Sequence, residues 1–419
     1  MSSSDNKPDG RSNNNREAVT VSRSRGGHLG AAQRGGEYRL ADPPSLPEEF
    51  RILRDQVRRF VESEVVPNGE AWEREGRIPR ELFRHMGQLG FLGMRHERDY
   101  GGTDLGPMAS MVFAEELARS TFGGVTASVL VHTDMSAVHI TMRGSSEQKA
   151  RYLPAVINGD IVCAIAVTEP DAGSDVAGLR TWARRDGGDW IINGAKMFIT
   201  NAVHGDLIIV AARTDPAAKG SRGISLFLVE RNLPGVAVTP LEKHGWLCSD
   251  TAAISLDSVR VPANALLGEE NRGFYGIMET FQNERICIGG ICAGESAKAI
   301  ELTVDYVKTR RAFGGTLWDQ QVVRNKLAML AAKAAAARQL AYHAAELAAA
   351  GHDCIREVSM VKALAPEVLH EVVHGCLQLH GGTGFMRGTP IERMARDARI
   401  LTIGGGATEV MLEEVAKRM

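Results

Sequence analysis

A chain of 419 residues has room for two or three packed units around a sizeable core. Its net charge of −2 lacks the basic excess expected of a nucleic-acid binder, and no apolar run reaches the length of a membrane span. An aromatic content of only 5%, with abundant alanine, suits a helix-rich globular enzyme.

Residues 1–43 are rich in Ser, Asn, Arg and Gly, cannot bury enough apolar surface to order themselves, and are expected to form a disordered tail. Asp5, Asp9 and Glu17, and the lack of an amphipathic pattern, argue against a transit peptide. Ser45-Leu-Pro-Glu48 reads as a capping box with proline in the first turn. Phe50, Leu53, Val57, Val61 and Val65 then recur at helical spacing. Further helices over Leu82–Leu89, Met108–Ala118 and Glu147–Asn158 complete an N-terminal helical domain at 44–160. From Ile161 the texture turns to strands. Trp190-Ile-Ile-Asn-Gly-Ala reads as a strand entering an Asn-Gly turn, and Leu207–Ala212, Ser225–Glu230, Val236–Thr239 and Ala253–Leu256 read as further strands of a middle domain at 161–270. Beyond it, residues 271–419 are helical and Ala-rich, as a bundle requires. The fold class expected is mainly α with a β domain.

The six cysteines (163, 248, 287, 292, 354, 376) form no CxxC pair and no zinc-spaced cluster, so no metal site is expected, and the setting is read as reducing and cytoplasmic. Chemistry-bearing residues gather in a few loops. Val167-Thr-Glu-Pro-Asp-Ala-Gly-Ser-Asp175 offers the hydroxyls of Thr168 and Ser174 around a flexible Gly173; alone it is either a ligand loop or an ordinary corner. Arg310-Arg-Ala-Phe-Gly314, Gln321 and Gln378-Leu-His-Gly-Gly-Thr-Gly384 could hold phosphate through the fork of an arginine, or be a solvated helix face. Gly404-Gly-Gly406 matches neither a Rossmann nor a Walker loop.

Together these motifs resemble the acyl-CoA dehydrogenases, flavoenzymes that oxidise the Cα–Cβ bond of a thioester. Thr168-Glu-Pro-Asp-Ala-Gly-Ser-Asp175 and Lys196-Met-Phe-Ile-Thr-Asn201 are similar to that family's two flavin-contacting segments, and the likeness runs from about residue 45 to the C-terminus. It implies an N-terminal helical domain, a middle β-barrel-like domain and a C-terminal four-helix bundle. It also implies FAD: Thr168 at the pyrimidine edge, Phe198 over a ring face, Thr200 near N5, and Arg310, Phe313 and Gln321 on the pyrophosphate and adenine half. Gln378 and Gly382 would come from a neighbouring subunit of a homodimer or homotetramer. Ser174 and Arg285 are implied to meet the thioester, and an electron-transfer flavoprotein to reoxidise the flavin.

The resemblance also locates the base. Most of the family carry the catalytic glutamate in the C-terminal loop, where this chain has Gly405. A branch including the long-chain and isovaleryl enzymes carries it on a helix, where this chain has Glu284. Glu284 precedes the apolar run Ile286–Ile291, a setting that should raise its proton affinity, and the Gly405 N–H would polarise the thioester carbonyl. Without Gly405 opposite, Glu284 would read as an Arg-paired structural acid in preference to a base. Glu409 reads better as part of a helix start, Glu269 and Glu270 as a polar turn, and His380 as packing. Gly404 and Ala407 replace an aromatic and a threonine of relatives, which bears on substrate identity. The rival functions are an acyl-carrier-protein dehydrogenase, a flavin oxidase of the same fold and a non-enzymatic flavin binder.

Overall fold

The structure, a computed structural model, describes residues 40–419, so most of the expected tail lies outside the described residues. The last residues assigned to that tail are held against the body. The Ala41 carbonyl accepts a hydrogen bond from Arg338 at 2.9 Å, and Asp42 pairs with Arg54 at 3.0 Å.

The N-terminal segment contains α1 (Glu48–Phe60), α2 (Gly69–Glu75), α3 (Arg80–Gln88), α4 (Gly106–Ala118), α5 (Gly123–Leu130), α6 (Val138–Arg143) and α7 (Ser146–Ile157). The capping box expected at Ser45 is absent. Pro47 occupies the cap position without a side-chain bond, and the Ser45 hydroxyl instead donates to Glu346 at 2.7 Å. A capping box is present at α7, where Ser145 and Gln148 satisfy each other's backbone N–H groups. α4 and α5 are apolar on nearly all sides because they are enclosed by other elements. A buried ionic cluster ties α1, α4 and the C-terminal bundle: Arg54 meets Glu116 at 2.8 Å, and Arg338 meets Glu115 at 2.6 Å.

The strands are β1 (Cys163–Ala166), β2 (Trp182–Asp186), β3 (Asp189–Thr200), β4 (Leu207–Arg213), β5 (Ile224–Glu230), β6 (Val236–Pro240), β7 (Thr251–Pro262) and β8 (Leu266–Leu267). They form one sheet in the order β6-β7-β3-β2-β4-β5-β8, with β1 parallel to β4. Alternating side chains fill two cores, one on each face, with Trp190 against Phe227 at the centre of one of them. Asn193-Gly194 does not turn the chain. β3 runs straight through it, with a register shift against β7 between Ile192 and Gly194, and the hairpin turn falls at Gly187-Gly188 instead. The Asn-Gly pair is a bulge: the Asn193 side chain accepts from the Ser258 N–H at 2.9 Å, and a Cβ at Gly194 would lie 2.3 Å from Thr181 Oγ1.

The remaining elements are α8 (Gly273–Thr309), a small hairpin of β9 (Arg311–Ala312) and β10 (Gly315–Thr316), α9 (Gln321–Ala349), α10 (Ile355–His380), α11 (Gly382–Phe385), α12 (Pro390–Asp397) and α13 (Thr408–Ala416). α8 is central. Its Gly290 and Gly294 let it approach α4 so closely that a Cβ there would lie 2.8 Å from the Met111 carbonyl and 2.0 Å from the Glu115 carbonyl. A Cβ at Gly289 would meet Val361 of α10 at 2.7 Å. The Gly289-Gly290 pair therefore fixes α8 between two neighbours, and Glu284 stands just over one turn upstream.

Candidate active site

Three elements carry the candidate residues, and the α5 region links two of them: Asn201 at the end of β3 donates to Ser128, and Asn283 of α8 donates to Asp134. The first is the end of β3. A second register shift against β7, between Lys196 and Ile199, throws Phe198 out of the sheet at φ 63° and leaves its ring 68% exposed. Holding a phenylalanine in this left-handed region costs about 1–2 kcal/mol, and exposing its ring adds to that, so an absent partner is implied. The flanking strand end is anchored: Asn201, also left-handed at φ 65°, donates to the carbonyls of Ser128 and Cys163 at 2.8 and 3.2 Å.

The second element is the loop after β1. Met197 N–H donates to the Thr168 carbonyl at 2.9 Å, which brings Thr168 beside Phe198. The hydroxyls of Thr168 and Thr200 have no hydrogen-bond partner among the described residues, and Ser174 is exposed. Glu169 and Lys196, which sequence reasoning passed over, hold this arrangement. The Lys196 ammonium is buried, 2.8 Å from Glu169 Oε1 and 3.1 Å from the Val167 carbonyl. Glu169 also accepts from the N–H groups of Arg180 and Thr181, at 2.6 and 2.9 Å. Burial pushes the Lys196 ammonium down to about 8 despite Glu169; burial opposes the charge on Glu169 too, but Lys196 outweighs it and holds the carboxyl below its ordinary value.

The third element pairs α8 with the loop before α13. Gly405 has φ 70° and Gly406 φ 107°, both in the region that favours glycine. A Cβ on Gly405 would lie 2.7 Å from Glu284 Oε1 and 2.8 Å from Ile288 Cδ1, so the helix carboxylate fills the space a side chain at 405 would enter. Glu284 accepts no hydrogen bond and forms no ion pair among the described residues, and the Gly405 N–H has no acceptor there. Although an edge of Glu284 is accessible, protein packed around the carboxyl pushes its pKa above the ordinary value, against the opposing fields of Arg285 and Lys362. Arg285 is buried and lies in the field of Glu284, of Glu414 on α13 and of Arg418 just beyond it. Asn283, one residue before Glu284, donates to Asp134 Oδ1 at 3.1 Å and so ties α8 to the π-helical segment Val131–Ala137 that follows α5.

The remaining residues gather elsewhere. Arg310 caps the far end of α8, about 39 Å along the axis from Glu284 at 1.5 Å per residue. Phe313, at the tip of the β9–β10 hairpin, has φ 52° and is 89% exposed, and Gln321 opens α9. Gln378 and Gly382 lie at this same end, because His380 stacks on Tyr306 with ring centres 4.3 Å apart. Arg310 has no ion-pair partner among the described residues. One chain therefore presents Thr168 beside Phe198 and Thr200 at the end of β3, Glu284 opposite Gly405, and Arg310, Phe313, Gln321, Gln378 and Gly382 together at the far end of α8.

The sequence profiles of the acyl-CoA dehydrogenase N-terminal, middle and C-terminal domains match residues 47–160, 164–259 and 271–419. The chain belongs to the acyl-CoA dehydrogenase family. The long-chain specific acyl-CoA dehydrogenase of Sus scrofa is 39% identical over 402 residues, covering 92% of each chain. The crystal structure of an acyl-CoA dehydrogenase from Geobacillus kaustophilus superposes with a TM-score of 0.86 at 39% identity, over 90% of this chain and 99% of that one. A glutaryl-CoA dehydrogenase from Mycobacterium smegmatis, solved in complex with FADH2, superposes with a TM-score of 0.84 at 31% identity, over 89% and 95%. As an acyl-CoA dehydrogenase the chain is an oxidoreductase, and the cofactor of its family is FAD. The residues present fit that group, with an exposed aromatic face forced outward by a bulge and unpartnered hydroxyls on either side of it. Among the described residues no helix is long and apolar enough to cross a membrane, and no group of three His, Cys, Asp or Glu could hold a metal ion.

Proposed function

We propose that the protein removes hydrogen from Cα and Cβ of an acyl-CoA to give the trans-2-enoyl thioester, with Glu284 as the base for the α-proton. The observation that carries this reading is the placement of the Glu284 carboxylate, unpartnered, 2.7 Å from where a side chain at Gly405 would begin. A structural acid in such a buried place would be expected to hold a cation or a backbone N–H; this one holds neither.

FAD, when bound, supplies the acceptor for the β-hydrogen as hydride at its N5. The chain's residues do the rest. Burial raises the proton affinity of Glu284 towards that of the weakly acidic α-C–H, which improves proton transfer. The free N–H of Gly405 donates to the thioester carbonyl as enolate charge develops. Phe198 would cover one face of the flavin ring, Thr168 and Thr200 would meet its edge, and Ser174 and Arg285 would meet the CoA thioester. Arg310, Phe313 and Gln321 stand too far from Glu284 to grip the same extended dinucleotide within one chain. A second copy would supply them, together with Gln378 and Gly382, making at least a homodimer. An electron-transfer flavoprotein is the acceptor that completes turnover.

Anaerobic mixing of FAD-loaded protein with straight and branched acyl-CoAs of increasing length tests this reading. Flavin bleaching and an enoyl-CoA product lighter by two hydrogens are expected for one length class. If no acyl-CoA bleached fully loaded protein, the CoA reading would fail in favour of a carrier-protein thioester. Bleaching reversed rapidly by oxygen, with peroxide formed, would identify an oxidase.

A further inference from the structure

Lys362 lies on α10 in the middle of the bundle and is fully buried. Placing an ammonium there costs several kcal/mol unless its hydrogens find acceptors. It has one among the described residues: Nζ donates to the carbonyl of Gly406 at 2.7 Å. That bond reaches the loop facing Glu284. Within Gly405-Gly406 it is the only hydrogen bond among the described residues, whereas Gly404 N–H is tied to Ile400 at 2.8 Å and Met411 N–H to Ala407 at 3.0 Å. Two successive glycines with positive φ form a backbone that is costly to order and easily displaced. A single charged hydrogen bond from the rigid α10 therefore decides where the Gly405 N–H points.

We propose that Lys362 is a positioning residue for the dehydrogenation: by holding the Gly406 carbonyl it fixes the Gly405 N–H against the thioester and keeps the loop clear of Glu284. The proposal rests on the assignment of Glu284 as base. Lys362 also supplies a positive charge that favours the ionised form of Glu284, while burial pushes its own pKa down to about 8. The charged and titratable groups around this corner are Glu284, Arg285 and Cys292 of α8, Glu367 of α10 itself, and, beyond Arg285, Glu414 of α13 and Arg418 just after that helix.

Lys362→Met is close in volume, so the bundle should stay packed while charge and donor are both lost. Lys362→Gln keeps a donor without the charge, and Lys362→Arg keeps both. Each is prepared as FAD-loaded full-length enzyme alongside Glu284→Gln. Two readouts are taken: the pH profile of kcat, and the long-wavelength charge-transfer band formed with a 3-thia-acyl-CoA, whose acidified α-proton is removed without turnover. For Lys362→Met, kcat should fall about 10- to 100-fold with KM little changed, less than the about 100- to 1000-fold for outright loss of an oxyanion donor, because the Gly405 N–H is misaligned and not removed. Its acidic limb should move to higher pH and the band should weaken. Lys362→Arg should restore the limb, and Lys362→Gln should restore part of the band but not the limb. If Lys362→Met keeps wild-type kcat, limb and band, or changes only thermal stability, while Glu284→Gln is inactive, the positioning role is overturned and the base assignment stands. If Lys362→Met does not retain FAD, the Gln and Arg variants decide: wild-type limb and band in the Gln variant overturn the role. An active Glu284→Gln would instead overturn the base assignment itself.

Discussion

Gly405→Ala tests the geometry of the site with one methyl group. At φ 70° alanine pays the left-handed penalty of about 1–2 kcal/mol. The new Cβ would also sit 2.7 Å from Glu284 Oε1 and 2.8 Å from Ile288 Cδ1, both far ends of side chains that can swing away. Because they can yield, the total cost to stability should stay near the backbone penalty, about 1–2 kcal/mol, rather than add a full overpacking term. The carboxylate is what yields, and a misplacement of about 1 Å at a reacting group costs about 100-fold in rate. In the assay, FAD content, thermal midpoint and kcat are compared on equally loaded enzyme. A modest drop in midpoint with a loss of about 100-fold in kcat is expected. If kcat stays within about twofold of wild type, residue 405 does not face the working base. The same convergence predicts that Glu284→Gly, about 100- to 10,000-fold impaired through loss of its base, regains about tenfold or more when Gly405→Glu is added, since the new carboxylate grows into the vacated space.

Glu169→Gln should leave the buried Lys196 ammonium unpaired at a cost of about 3–5 kcal/mol, measured by urea unfolding, and should lower FAD retention with it. Phe198→Ala removes an exposed, strained ring; the apoprotein should be no less stable, while FAD binds more weakly by titration calorimetry. Asp397 joins the three segments, accepting from Trp246 N–H at 2.6 Å and Gly123 N–H at 3.1 Å, and burial pushes its pKa up to about 7 from the ordinary carboxylate value of 3.8. A carboxyl raised in the folded state stabilises the fold below its unfolded pKa, and that contribution is lost as pH rises through about 7. Between those limits it amounts to at most about 4 kcal/mol, so Asp397→Asn should flatten the decline in stability from about pH 4 to 7 seen by denaturant titration.

Much of the site could be read from residue types. The Thr-Glu-Pro loop, the Lys-Met-Phe-Ile-Thr strand and the pairing of Glu284 with Gly405 each carry a local signature; the first two segments meet through Met197 and Thr168, and Glu284 faces Gly405. What could not be read was anything set by long-range contact. Asn193-Gly194 carries the strongest short hairpin signal in the chain, yet β7 pairs along both sides of it and turns it into a bulge. Ser45 fits a capping box, but Glu346, 301 residues away, takes its hydroxyl. Lys362 sits in an apolar helix with nothing nearby in sequence to mark it, because its partner at Gly406 is 44 residues downstream. The division of the cofactor residues into two clusters follows from the 37-residue length of α8, which spacing between motifs does not reveal.

The central claim, that Glu284 removes the α-proton, is tested most directly by Glu284→Gln, which keeps shape and size while removing the base. FAD-loaded wild type and variant are mixed anaerobically with the acyl-CoA that bleaches the wild type, and exchange of the α-hydrogen with deuterated solvent is followed by mass spectrometry alongside flavin absorbance. The account predicts that the variant binds the thioester but neither bleaches nor exchanges its α-hydrogen on the timescale of wild-type turnover. Bleaching and exchange at near wild-type rates would contradict it and move the base to another residue.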